Sequence, residues 1–188
     1  LIQELPAGKS AGLNIISMSI RQPRPKAPPS DNRMSFIGSI FGPPLPVGTY
    51  KVVVKKGKES FESSFTLIAD KDSPFTDAER QLSQETVQTL YDMTQDLAYV
   101  YETVQSLEKQ AMAAAESNPK LAKKLKAYAQ KLVDFQDKIV VEGGDCYVNE
   151  DERIADKISQ LYFTLNLYPG PPSGSQMGRV EALKEDVK

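Results

Sequence analysis

The stretch Leu90-Tyr91-Asp92-Met93-Thr94-Gln95-Asp96-Leu97-Ala98-Tyr99-Val100-Tyr101-Glu102-Thr103-Val104-Gln105-Ser106-Leu107-Glu108-Lys109-Gln110-Ala111 sets the architecture of the chain. Its apolar positions Leu90, Met93, Leu97, Val100, Val104, Leu107 and Ala111 recur at alternating steps of three and four, the seam of a helix that buries one stripe against neighbours. Upstream, Thr76-Asp77-Ala78-Glu79 matches a capping box, in which the Thr hydroxyl and the Glu carboxylate satisfy free N–H groups at a helix start. A helix from there to about Glu116 would be roughly 60 Å long at 1.5 Å per residue. Ser117-Asn118-Pro119 stops it, since Pro cannot continue a helix but can open the next one.

Downstream the helical period persists. Leu121, Leu125, Tyr128, Leu132, Phe135 and Ile139 predict a second helix that ends at Gly143-Gly144. Leu97 and Leu132 are expected to be buried on facing helices. Ile154, Ile158, Leu161, Leu165 and Tyr168 predict a third helix from about Glu150 to Leu167. After Pro169-Gly170-Pro171-Pro172, Met177, Val180, Leu183 and Val187 suggest a short fourth. Short links between long helices imply antiparallel neighbours, so residues 73–188 are expected to form an up-down bundle of three to four amphipathic helices able to fold alone.

Upstream of Asp70 the pattern changes to the period of two. Tyr50, Val52 and Val54 alternate with polar or outward positions, as do Phe61, Phe65 and Leu67, and Lys55-Lys56-Gly57-Lys58 places a glycine where a tight hairpin needs positive φ. Residues 49–55 and 60–68 are thus expected to form a hairpin. Ile16, Met18 and Ile20, alternating with Ser17 and Ser19, predict a neighbouring strand over 12–20. The proline-rich run Arg21 to Arg33 reads as a solvated, mobile loop. Met34, Phe36, Ile37, Ile40 and Phe41 form an apolar patch that suits either a strand or a cover for the sheet. The fold class is therefore α+β: a partial Ig-like antiparallel segment over 1–72, then the helices. Three or four strands make a thin layer, so either the helices cover its open face or further strands come from a larger parent.

Composition narrows the chemistry. The 188 residues carry a net charge of -2 and contain no His, no Trp and one Cys. Without His, the commonest general base and metal ligand is missing, and Ser-His-Asp or Cys-His catalysis cannot be built within this chain. No phosphate loop, dinucleotide fingerprint or CxxC occurs, and no apolar run reaches membrane-spanning length. Nucleic-acid binding is not expected of so weakly charged a chain. The chain begins at Leu1 without Met or a signal pattern, which reads as a trimmed or processed end. Glu142, Asp145, Glu150, Asp151 and Glu152 lack EF-hand spacing. Lys120, Lys123, Lys124 and Lys126 suit a solvated helix face, and Tyr91, Tyr99, Tyr101 and Tyr128 suit core or seam-edge positions rather than a sugar platform. Cys146 has no activating neighbour in sequence. No catalytic, cofactor-binding or metal residue is assigned.

The order of motifs resembles a known family. Ala11-Gly12-Leu13-Asn14 before the alternating segment, then Pro44-Leu45-Pro46-Val47-Gly48-Thr49-Tyr50-Lys51-Val52, is similar to Ig-like (fibronectin type III-like) segments of bacterial secreted proteins. Phe65-Thr66-Leu67-Ile68-Ala69-Asp70, then Ser73-Pro74, Leu90-Tyr91-Asp92-Met93-Thr94 and the break at Tyr168-Pro169-Gly170-Pro171-Pro172, resemble the C-terminal region of BNR-repeat, sortilin-like β-propeller proteins, whose propellers are glycosyl hydrolase- or sialidase-like. Met18-Ser19-Ile20-Arg21 departs from that family's frequent Trp-Asp before the Arg. The resemblance implies a non-catalytic C-terminal accessory or interaction module of a secreted, periplasmic or cell-surface protein. Its partners would be the upstream propeller and a protein or second copy met through the helices. The rival readings are a segment that helps shape a carbohydrate enzyme or binding site lying upstream, and a cytoplasmic helical adaptor.

Overall fold

The computed structural model describes residues 1–6, 8, 10–29, 39–140 and 152–187. It is α+β: a two-stranded antiparallel sheet, β1 (Gly48–Lys56) and β2 (Glu59–Leu67), followed by α1 (Asp77–Ser117), α2 (Ala122–Ile139), α3 (Ile154–Leu167) and α4 (Gly174–Asp186). The hairpin register runs from Gly48↔Leu67 to Lys56↔Glu59. Its two-residue turn has Gly57 at φ 59°, the left-handed conformation that the first position of a II′ turn demands. Tyr50 stacks on Phe65 across the strands at 5.4 Å, and Lys51 pairs with Glu62 at 2.7 Å on the other face.

The 41-residue α1 starts at the expected capping box: Thr76 Oγ1 accepts from the Glu79 N–H at 3.3 Å, and Glu79 Oε2 accepts from the Thr76 N–H at 2.8 Å. Those bonds favour the charged carboxylate and hold Glu79 below its ordinary pKa. A short link returns the chain, and α2 packs alongside α1 in the reverse direction. The main core lies at the other end of α1. There Val87, Leu90, Tyr91, Met93, Leu97 and Tyr101 meet Ile139 and Val140, then Ile158, Leu161, Tyr162 and Leu165 of α3, and Val180 and Leu183 of α4. The Asp156 carboxylate accepts the Arg153 N–H at 3.2 Å and so caps α3. Ser173 and Gln176 form the reciprocal cap of α4.

Three expectations need correction. First, residues 12–20 form no strand beside the hairpin. Ile16, Met18 and Ile20 are exposed, and among the described residues the chain here pairs with another stretch through one bridge just past the segment, Arg21↔Pro44. The bridge does not grow into a ladder: Pro43 has no N–H to return the bond it gives Gln22 through its carbonyl, and among the described residues no strand lies beside 12–20 to pair with it. Second, the described part of the proline-rich run is no solvated loop. Pro25 and Pro28 are buried, and the segment is tied along α1 by Gln22 Nε2 to Gln88 Oε1 at 2.7 Å and Lys26 Nζ to Glu102 Oε2 at 2.7 Å. Third, the a/d seam is buried only in part. Leu90, Met93, Leu97, Val104 and Ala111 are buried, whereas Val100, Leu107, Leu121, Tyr128 and Phe135 are exposed and Leu132 is half-buried. Where only α2 covers α1, the narrower contact rests on Ala111, Ala115 and Ala129, which let the two backbones approach closely.

Candidate functional site

Two features stand out once each side chain is placed: a polar latch that fastens a strap made of the segments around Arg21 and Gly42 to the helices, and the uncovered β-ribbon. The latch starts from α3, where Tyr162 and Asn166 are four residues apart and share one face. Tyr162 Oη donates to the Phe41 carbonyl at 2.7 Å, and Asn166 Nδ2 donates to the same oxygen at 3.2 Å. Asn166 Oδ1 accepts from Arg21 Nη1 at 3.0 Å, and that nitrogen also donates to the Gly42 carbonyl at 2.9 Å. The Arg21 guanidinium lies 5.9 Å from the centre of the Phe41 ring, within reach of a cation–π attraction. Gln22 N–H donates to Pro43 O at 2.8 Å and Leu45 N–H to Ile20 O at 2.9 Å, closing the two strap segments on each other.

The bonds of this network run between side chains and backbone of the fold itself. The arrangement can position backbone; it offers no activated nucleophile. Burial, with Tyr91 alongside, pushes the Tyr162 hydroxyl well above the ordinary tyrosine value, and Arg21 opposes that rise. The phenol is therefore neutral in the fold. Its contribution to stability is complete below the unfolded pKa of about 10 and is lost as pH rises through the folded value. Tyr162→Phe should lose about 0.5–1.5 kcal/mol at neutral pH, the usual net worth of one hydrogen bond. It should also show a shallower alkaline decline than the parent chain in melts between about pH 9 and 11. Parallel alkaline limbs in the two proteins would assign that decline to other groups.

The ribbon is the second feature. The side chains Tyr50, Val52, Val54, Phe61 and Phe65 share one face by register, yet Val52, Val54 and Phe61 (55% exposed) have no cover from the described residues. No further strand among those residues lies against either edge. A shallow recess of about 510 Å³ also lies between α3 and α4, lined by Thr164, Leu167, Tyr168, Pro171, Ser173 and Gln176. No charged side chain lines it, Thr164 Oγ1 donates back to Gln160 O, and Ser173 and Gln176 are engaged in the helix cap.

Of the residues weighed from sequence, Tyr91 and Tyr101 are buried, whereas Tyr99 and Tyr128 are exposed. Lys120, Lys123, Lys124 and Lys126 are all exposed, as a solvated face requires. Glu142, Asp145, Glu150, Asp151 and Cys146 lie outside the described residues, and Glu152 is exposed. Among the described residues no cluster of three or more His, Cys, Asp or Glu is placed to hold a metal, and no helix is long and apolar enough to cross a membrane. Sequence reading did not single out Arg21, Tyr162 or Asn166. The available signal was Asn166, an amide set between Leu165 and Leu167 in an otherwise apolar helix end, where a buried polar group needs partners. No family model, curated protein or solved structure matches this chain.

Proposed function

We propose that this chain is a non-catalytic accessory and interaction module of a larger secreted β-propeller protein. In this reading the helices form a bundle that braces the ribbon, and the ribbon is the remainder of an Ig-like sheet whose other strands come from the parent. The uncovered apolar face of β1 and β2 is the observation that carries it. A two-stranded hairpin is marginal in water by itself and needs more strands or a covering layer. The helices do not supply that layer: Val52, Val54 and Phe61 stay exposed. The latch at Arg21, Tyr162 and Asn166 supports the bracing role, because it anchors the chain leading into the ribbon to α3. The absence of His and the neutral lining of the recess between α3 and α4 support a role without catalysis.

Hydrogen exchange on the isolated chain and on the full-length parent tests the proposal. The outward-pointing amides of β1 and β2 should exchange at least about tenfold more slowly in the parent, where neighbouring strands would engage them. Equal exchange at both edges in the two proteins would remove the sheet-completion reading.

A further inference from the structure

The α1–α2 hairpin carries two rows of residues on one side, from the level of Val100 and Lys138 to the link between the helices. Along α2 and its N-cap the row is Leu121, Lys124, Tyr128, Lys131, Phe135 and Lys138, at alternating steps of three and four. On α1 it is Val100, Thr103, Leu107, Gln110, Ala114 and Ser117, with the same spacing. The facing lines of the two helices are marked by buried Val104, Ala111 and Ala115 on α1 and by Ala129 and Gln136 on α2. Tyr128 and Phe135 each precede a facing residue by one position, and Leu107 follows Val104 by three. At 100° per residue, both rows are rotated from the facing lines in the same rotational sense. Because the helices run antiparallel, rotation of the same sense brings the two rows to one side of the pair. That side is opposite α3: Tyr91, whose ring meets Tyr162 of α3 at 6.4 Å, stands nine residues, or two and a half turns, from Val100.

The resulting face has large apolar groups in contact with solvent, Tyr128 48% and Phe135 44% exposed, with Leu121, Leu107 and Val100 beside them. Its charge is one-sided. Lys124, Lys131 and Lys138 are exposed and have no ion pair or hydrogen bond among the described residues, and the α1 row beside them is uncharged. Two parallel rows at heptad spacing form the groove into which a third helix packs its own a and d residues.

We propose that this face docks an amphipathic helix of a partner protein whose apolar stripe is flanked by Asp and Glu. The apolar rows take the stripe, and the lysines meet the carboxylates along the α2 edge. A second copy of this chain fits less well, since it would bring the same unpaired lysines to the contact. The proposal deepens the interaction half of the function above. Its failure is separable, because edge exchange in the ribbon reports the parent sheet and helix binding reports this face alone.

The probe is a labelled three-heptad helical peptide with Leu at a and d and Glu at e and g, compared with the same peptide carrying Lys at e and g. The Glu peptide should bind the full chain at least about tenfold tighter, and raising salt should shrink that difference as screening grows. Tyr128→Ser with Phe135→Ser should weaken both peptides by about tenfold or more. Lys124→Glu with Lys131→Glu should reverse the preference. Tyr128 and Phe135 are about half exposed and lie outside the core cluster, and the lysines are exposed, so circular dichroism should show the parent fold in every variant. Absence of binding, equal binding of both peptides, or a parent-chain dimer in sedimentation that the Ser pair disperses would each overturn the proposal.

Discussion

Leu90→Ala is expected to cost about 2–5 kcal/mol, the range for truncating a fully buried leucine, while Leu107→Ala should cost less than about 1 kcal/mol. The two residues belong to the same seam on the same helix, so their helix propensities and sequence surroundings are comparable. Their environments differ: Leu90 is 0% exposed within the core formed with α3 and α4, and Leu107 is 39% exposed where only α2 is adjacent. Truncating Leu90 removes its packing and leaves a cavity within the core cluster it shares with α3 and α4. Truncating Leu107 mostly removes solvent-facing carbon. Chemical denaturation of both variants reads the difference. Equal losses would mean that the hairpin beyond Val104 has a covered core of its own, and the docking face would then be closed.

The second large effect is expected at Gly42. An added Cβ there would overlap the carbonyl oxygens of Gln22 and Pro23, which are backbone atoms and cannot rotate away. Gly42→Ala must therefore push the 40–45 segment off the 20–23 segment. The Gly42 carbonyl also accepts from Arg21, and the neighbouring Phe41 carbonyl accepts from Tyr162 and Asn166, so the displacement breaks the latch as well. The direct cost of overpacking is about 1–3 kcal/mol. Leaving Tyr162 or Asn166 without its acceptor adds about 1–3 kcal/mol for each group that stays buried. The diagnostic readout is local. Trypsin should cut after Arg21 and Lys26 far faster in the variant, because the strap is otherwise held against α1 through Gln88 and Glu102. A variant with unchanged melting and unchanged cleavage would show that the latch does not restrain the strap.

Local chemistry decided a large part of this protein. The capping box at Thr76 and Glu79, the stop at Ser117-Asn118-Pro119, the break at Pro169 to Pro172 and the glycine of the hairpin turn all act within a few residues. Each is an effect of backbone hydrogen bonding or allowed φ that needs no distant partner, so the four helices and the hairpin of the described residues were legible in the chain. Periodicity also marked which residues share a face. Tertiary structure decided which of those faces are covered. Ile16, Met18 and Ile20 have the alternation of a buried strand, but no strand among the described residues lies beside them and they stay in solvent. Val100 and Leu107 of α1 and Tyr128 and Phe135 of α2 have the spacing of a seam, but α3 lies on the other side of the pair and these four stay exposed. The strap and its latch were the least legible, because Arg21 and Asn166 are 145 residues apart and nothing local distinguishes a paired arginine from a solvated one. Period and propensity are properties of neighbouring residues along the chain, whereas burial belongs to the whole arrangement and is fixed only when distant segments meet.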